Sequence, residues 1–501
     1  MARAMILLWV LTLILLVPAI SVVAQSIGVN WGTITFRQLD PNIVVKMLHD
    51  NGFKKVKLFE PDSGILDALA GTDIEVMLGI PNYFLQTLSS DYKSAQAWVK
   101  QNVTAYNPGK KDGVNIKIVT VGNEAFLTSY NGTYINITYP AMKNIYKALD
   151  EAGFGNKQIK VSTPVNGDVY TTTSYRPSDG VFRPDIKDVM IQICQFLQEN
   201  ESPFIVNIYP FFNLYQTPGF PEEYAFFDNN GNFSLEDHGA YYTNVFDANV
   251  DNLVASMRKA KFNNLQIVVG EVGWPSDGNV YATPKNAERF YNGLFKKLAN
   301  KKGTPLMPNL DPEVYLFCLL DENFKSTDPG LFERHWGMFT FDGQPKYPMD
   351  LSGKGQNKML VGAKNVPYLA KQWCVHNKDA SNQQDLPEKV GYACNNTDCT
   401  SISEGASCGG ISADMNASVA FNMYYQMQDQ NKKACDFQGL AKITTNDPST
   451  GNCHFPIMFK KYVPSPGSHH GHHSGAGYSS SYLSLPFLFQ IVVGICLVLF
   501  A

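Results

Sequence analysis

Residues Leu265–Ser276 read LQIVVGEVGWPS, and this stretch decides the fold. A mostly β-branched apolar run leads straight into Gly270 and then Glu271. Such a run, without polar alternation, fits a strand buried on both faces, as in a parallel sheet. The Gly-Trp-Pro that follows cannot continue a central strand, so Glu271 is expected at a strand tip. A charge there costs free energy unless it has partners or a task. Residues Asn115–Glu124, NIKIVTVGNE, have the same grammar and end in Gly122-Asn123-Glu124.

Further runs of this kind lie on either side. Eight precede residue 325: Ile27–Asn30, Val56–Phe59, Ile74–Leu78, Ile116–Val121, Ile159–Ser162, Phe204–Ile208, Leu265–Val269 and Val314–Leu320. Helical apolar spacing appears between them at Pro41–His49, Ala141–Ala152, Ile186–Gln198 and Ala248–Ala260. Alternating strand and helix predicts an α/β fold, a (β/α)8 TIM barrel. Its working face is the C-terminal end of the strands. Those ends carry Asn30-Trp31, Glu60, Asn82, Asn123-Glu124, Asn166, Tyr209, Glu271 and Asp321-Glu322-Asn323. Glu124 closes the fourth strand and Glu271 the seventh, so they should face one another across the mouth. Two carboxylates so placed are what acid/base cleavage of a glycosidic bond requires.

The 501 residues exceed one core, so two domains with appendages are expected. A net charge of −4 gives no nucleic-acid footprint. Residues 1–24 read as a signal peptide, with a signal anchor as the alternative. At the other end come Ser474-Gly475-Ala476, a polar spacer and an apolar tail, Leu485–Ala501. That order fits a glycosylphosphatidylinositol (GPI) signal with attachment at Ser474; a membrane-spanning helix is the alternative. On the secretory reading, Asn102, Asn131, Asn136, Asn200, Asn232, Asn395 and Asn416 are usable glycosylation sites. Cys374, Cys394, Cys399, Cys408, Cys435 and Cys453 cluster late and read as a disulfide framework of open connectivity. They have no C-x-x-C pair and no partnering His, which argues against zinc, and no metal or cofactor is expected. Cys194 and Cys318 lie in apolar surroundings and should be buried thiols. The run HHGHH at His469–His473 reads as solvated linker. The expected order is signal peptide 1–24, barrel 25–350, connector 351–370, disulfide-rich module 371–457, flexible stalk 458–475 and GPI propeptide 476–501.

The motifs GVNWG, VKLFEPD, VGNEAF, VNIYPFF, VVGEVGWPS, YLFCLLDENFK and ERHWGMF, in this order, resemble plant glycoside hydrolase family 17, the β-1,3-glucanases. QWCV, GYACN, SVAFNMYYQ and TTNDPSTGNC resemble carbohydrate-binding module family 43, which binds the same glucan. The first resemblance implies a retaining mechanism with Glu271 as nucleophile and Glu124 as general acid/base. In such enzymes the carboxyls stand about 5–5.5 Å apart. It also implies that Asn123 holds a sugar 2-hydroxyl, that Tyr209 donates to the nucleophile, and that Glu322, Lys325 and Glu333 border the sugar. Trp274 is offered as a substrate-binding residue that could stack on a sugar; for it, as for Trp31 and Trp336, packing at the rim is the competing and favoured reading. The implied partner is β-1,3-glucan such as callose, met by a monomer at the outer plasma-membrane leaflet, the cell wall or plasmodesmata. A glucan-binding protein with little turnover and a glucanosyltransferase remain alternatives. The chain departs from the family pattern at Val272, where Ser or Thr is usual, and at Glu60, where Asp is expected.

Overall fold

The computed structural model of the chain describes residues 27–155, 158–228 and 233–463. The signal segment, Asn232, the HHGHH run, Ser474 and the propeptide lie outside the described residues.

Nine parallel strands form one sheet: β1 Ile27–Trp31, β2 Lys55–Leu58, β3 Glu75–Ile80, β4 Asn115–Val121, β5 Lys160–Ser162, β6 Pro164–Asn166, β7 Phe204–Asn207, β8 Ile267–Val272 and β9 Glu313–Leu316. Their order is β5-β4-β3-β2-β1-β9-β8-β7-β6. β5 and β6 are halves of one strand interrupted at Thr163. The first half pairs with β4 and the second with β7, and this joins the two ends of the sheet into a barrel. Met77, Ile118, Ile205, Val268 and Tyr315 make a buried cluster from five of the strands. The barrel therefore has a packed interior rather than a pore.

Helices fill the crossovers for local reasons. In Pro41–Asp50, Pro41 takes the first turn and the Asp40 side chain accepts from the Asn42 N–H at 2.9 Å, while Val44, Val45, Met47 and Leu48 are buried. The helix expected from Ala141 in fact starts at Ile135 and runs through Pro140. Pro140, in the second turn, forfeits one intrahelical bond, which burial of Ala141, Met142, Ile145 and Leu149 on one face offsets. β8 also outruns its expected end: Glu271 lies inside the strand, which continues to Val272.

The module forms separate small cores around Phe421 and Tyr425 and around Trp373 and Phe455. Disulfides Cys374–Cys435, Cys394–Cys399 and Cys408–Cys453 brace it, closing loops that so small a core holds poorly. Cys194 and Cys318 are buried free thiols.

The connector is packed against the barrel. Pro348–Met349 pairs with Lys358–Met359, and the Asn51 side chain grips Val361 through both backbone polar groups at 2.8 and 2.9 Å. The expectation of a flexible stalk from 458 is corrected at its start. Met458 and Phe459 are buried in the barrel core, because the apolar run Ile457-Met458-Phe459 has a face to cover. Leu369 and Lys460 exchange backbone bonds with Met458 and Pro367, and Tyr368 bridges Phe459. The chain thus enters and leaves the module side by side. Arg37 Nη1 donates to the Phe459 carbonyl at 2.5 Å.

Candidate active site

Glu271 owes its position to an irregularity in β8. The register against β7 shifts between Val269 and Glu271, and against β9 between Val269 and Val272. Bulges of this sort re-aim side chains beside active sites. Gly270 permits this one, since a Cβ there would meet Ile205 Cγ2 and Asn207 Oδ1. The Asn30 side chain, fully buried, donates to the carbonyls of Gly270 and Leu316 at 3.0 and 3.2 Å, stitching the distorted turn to β1.

The Glu271 carboxylate has a donor on each oxygen. Lys57 Nζ reaches Oε1 at 2.5 Å and the Tyr209 hydroxyl reaches Oε2 at 2.5 Å. Lys57 is 1% exposed, a cation inside a buried strand. Its ammonium also donates to Asn123 Oδ1 at 3.1 Å and lies 4.6 Å from the Phe59 ring centroid. Buried charges persist when paired and hydrogen-bonded, as here. Burial first, then the Glu271 charge, pushes the Tyr209 hydroxyl well above the usual tyrosine range, so it remains a donor.

Glu124 follows β4 in the left-handed region, φ 51°, directly after Gly122 at 76° and Asn123. A non-glycine residue there costs roughly 1 kcal/mol, which its surroundings must offset. Its N–H donates to the Pro164 carbonyl at 2.9 Å, and Asn82 holds Asn123 by bonds to both backbone polar groups at 2.8 and 2.9 Å. Asn207 Nδ2 donates to Glu124 Oε1 at 2.9 Å, and the same Asn207 lies in register with Glu271. Burial, and after it the Glu271 charge, pushes the Glu124 carboxyl up to about 7. One acid is thus protonated at mildly acidic pH beside another that is ion-paired with a lysine. Such divergent environments assign acid and base roles.

The strip after β9 completes the rim. Lys325 pairs with Glu333 at 2.8 Å and stands 4.7 Å from the Phe317 ring centroid. Burial opposes its charge, but Glu333 and Glu322 outweigh this and raise Lys325 above the ordinary lysine range. Glu322 Oε1 accepts from the Ile34 N–H at 3.0 Å, and burial raises its carboxyl. Gly32 leaves room for that carboxylate, which any Cβ would overlap.

One expectation is overturned. Trp274 is 0% exposed and packs among Phe211, Phe226 and Phe290 while Nε1 bonds the Tyr281 carbonyl at 2.9 Å, so no sugar can stack on it. Trp31 and Trp336 are buried likewise. Of the two departures, Val272 is a buried strand residue and Glu60 accepts from the exposed Tyr83 hydroxyl. Sequence reasoning missed Lys57 and Asn207. The lysine inside the apolar run of VKLFEPD was the available signal, since an unpaired charge in such a strand is prohibitively costly.

Among the sequons, Asn131, Asn136 and Asn395 are exposed. Asn102 and Asn200 are half-buried and donate Nδ2 to carbonyls of their own helices at 3.0 and 2.7 Å.

The profile of "Glycosyl hydrolases family 17" matches residues 27–351, and that of the "X8 domain" matches residues 372–442. Glucan endo-1,3-beta-glucosidase 8 of Arabidopsis thaliana is 51% identical over 447 residues, 89% of this chain and 92% of that protein. The glucan endo-1,3-beta-D-glucosidase of Olea europaea is 35% identical over 438 residues, 86% of this chain and 93% of that protein. Among solved structures, CJP38, a beta-1,3-glucanase and allergen of Cryptomeria japonica pollen, superposes with a TM-score of 0.61 at 38% identity, covering 64% of this chain and 98% of that one.

Proposed function

The chain belongs to glycosyl hydrolases family 17, and from that premise we propose that it cleaves internal β-1,3-glucosidic bonds of callose-like glucans with retention of configuration. The observation that carries this reading is the pair Glu124 and Glu271 in one barrel mouth, one carboxyl raised to about 7 and the other bonded to Lys57 and Tyr209.

In the first step a Glu271 oxygen attacks the anomeric carbon, and Glu124 gives its proton to the departing glycosidic oxygen. The bond between that carbon and oxygen breaks, leaving a glycosyl ester on Glu271. In the second step Glu124, now ionised, takes a proton from water as the water oxygen attacks the same carbon and releases Glu271. Lys57 and Tyr209 hold the nucleophile's rotamer. Asn123, beside Glu124, meets the sugar 2-hydroxyl. Glu322, Lys325 and Glu333 line the adjoining sugar sites.

The X8 domain supplies a second hold on β-1,3-glucan, which raises the local concentration of substrate at the barrel. The chain works at the outer face of the plasma membrane, carried there by a GPI anchor. Its apolar ends and the small residues at Ser474-Gly475-Ala476 support this placement. Release from membranes by a phosphatidylinositol-specific phospholipase tests the anchor, and retention refutes it. Reducing-end release from laminarin by wild type and Glu271→Ala tests the chemistry. The variant is expected to be inactive; equal rates reject Glu271 as nucleophile.

A further inference from the structure

The module does not hang free of the catalytic rim. Arg334, next to Glu333, donates Nε to the Lys325 carbonyl at 2.8 Å and Nη1 to Asp398 of the module at 3.1 Å. His335 Nε2 lies 2.6 Å from the Thr400 hydroxyl, and Ser407 N–H donates to Asp277 at 2.8 Å. Asp277 follows Glu271 by one short loop. Between these ties lies a cleft of about 570 Å³, with Phe36, Phe324 and Arg334 on the barrel side and Asn395, Asn396 and Thr400 on the module side.

Resting on the β-1,3-glucanase reading, we propose that this cleft is a remote glucan subsite, which continues the catalytic groove across the domain boundary and holds a stretch of the same chain that is being cut. Continuity is the first argument. Phe324 falls between Asn323 and Lys325, and the Phe36 N–H donates to Asn323 Oδ1 at 3.0 Å, two residues from the Ile34 N–H that holds Glu322. The floor of the cleft and the rim of the active site are one strip of chain. Chemistry is the second. The Phe36 and Phe324 rings stand 4.6 Å apart, and Phe324 is 55% exposed, offering an apolar face beside the exposed Asn395 and Asn396. Sugars present both kinds of surface. Charge is the third. Arg334 is committed to Asp398, so the lining has no unpaired charge and suits a neutral polysaccharide rather than an anion. The volume lies within the roughly 300–1,000 Å³ of preformed ligand sites.

Asn395 is also a sequon, and a glycan there would enter the same space, so the test uses enzymatically deglycosylated protein. Phe324→Ala removes the platform, and Asn396→Trp fills the cleft from an exposed position. Each is compared with wild type on long soluble β-1,3-glucan and on an oligosaccharide too short to span both sites. The ratio of long-chain to short-chain kcat/KM is expected to fall about fivefold to tenfold in both variants. An unchanged ratio in both overturns the subsite and leaves the hydrolase reading standing. Retention on a β-1,3-glucan affinity gel, measured in a Glu271→Gln background, reads the cleft without turnover. If wild type hydrolyses nothing, the catalytic reading fails, while weaker retention of Glu271→Gln/Phe324→Ala still supports the cleft and equal retention removes it.

Discussion

Replacing Asn207 by Leu tests the electrostatic reasoning about the acid. The side chains share branching and heavy-atom count, and the amide's one contribution to Glu124 is a 2.9 Å bond to Oε1. That bond favours the ionised carboxyl, so its loss should raise a group already at about 7. A hydrogen bond to a charged group contributes ~1.5–3 kcal/mol, and one pH unit corresponds to ~1.36 kcal/mol, so the shift is about 1 to 2 units. Glu124 stays open to the mouth, where water replaces part of the lost bond, and this favours the lower figure. The sign follows from the role. A general acid must be protonated, so kcat/KM holds below its pKa and falls as pH rises through it. Wild type should lose activity through about pH 7. The variant should lose it near pH 8. At pH 8 roughly one-tenth of wild-type Glu124 is protonated against about half in the variant, a fivefold difference in the competent fraction. Reducing-end release from laminarin between pH 4 and 10 measures both limbs. An alkaline limb that stays where wild type has it, or moves to lower pH, refutes the argument.

Lys57→Met leaves Glu271 buried without its cation and should lose ~3–5 kcal/mol of stability, much of it recovered in Lys57→Met/Glu271→Gln; thermal unfolding of both checks this, and an unrelieved double variant contradicts it. Opening Cys374–Cys435, a separation of 61 residues, should cost the module ~2 kcal/mol more than opening Cys394–Cys399, a separation of 5, on loop-closure grounds. Denaturant titration of the two paired Cys→Ser variants decides the order. Glycopeptide mapping of secreted protein should find Asn131 and Asn136 more fully occupied than Asn102 and Asn200, whose amides are bonded within their helices.

The barrel was legible because each buried strand, such as NIKIVTV or LQIVV, carries its pattern locally. The two acids were legible because each ends or interrupts such a run. What escaped was what depends on register. The bulge at Gly270 moved Glu271 into the strand, and a bulge has no composition of its own. Asn207 looked like one more strand residue until pairing set it against both Glu271 and Glu124. Trp274 failed in the opposite direction: an aromatic just past a strand tip reads equally well as rim or core, and only the surrounding Phe211, Phe226 and Phe290 decide. The split at Thr163, where the sheet changes partners, was likewise invisible in a run that reads as one strand.

The neighbouring entry and exit of the module carry a mechanical consequence. Tension applied beyond residue 463 meets first the backbone bond from Lys460 to the Pro367 carbonyl and then Phe459, whose carbonyl is held by Arg37 and whose ring stacks on Phe341. Such a pull loads the barrel directly and bypasses the disulfide-braced lobe, which rides outside the line of force. A pull on the chain beyond residue 463 would strain the barrel while the lobe keeps its geometry.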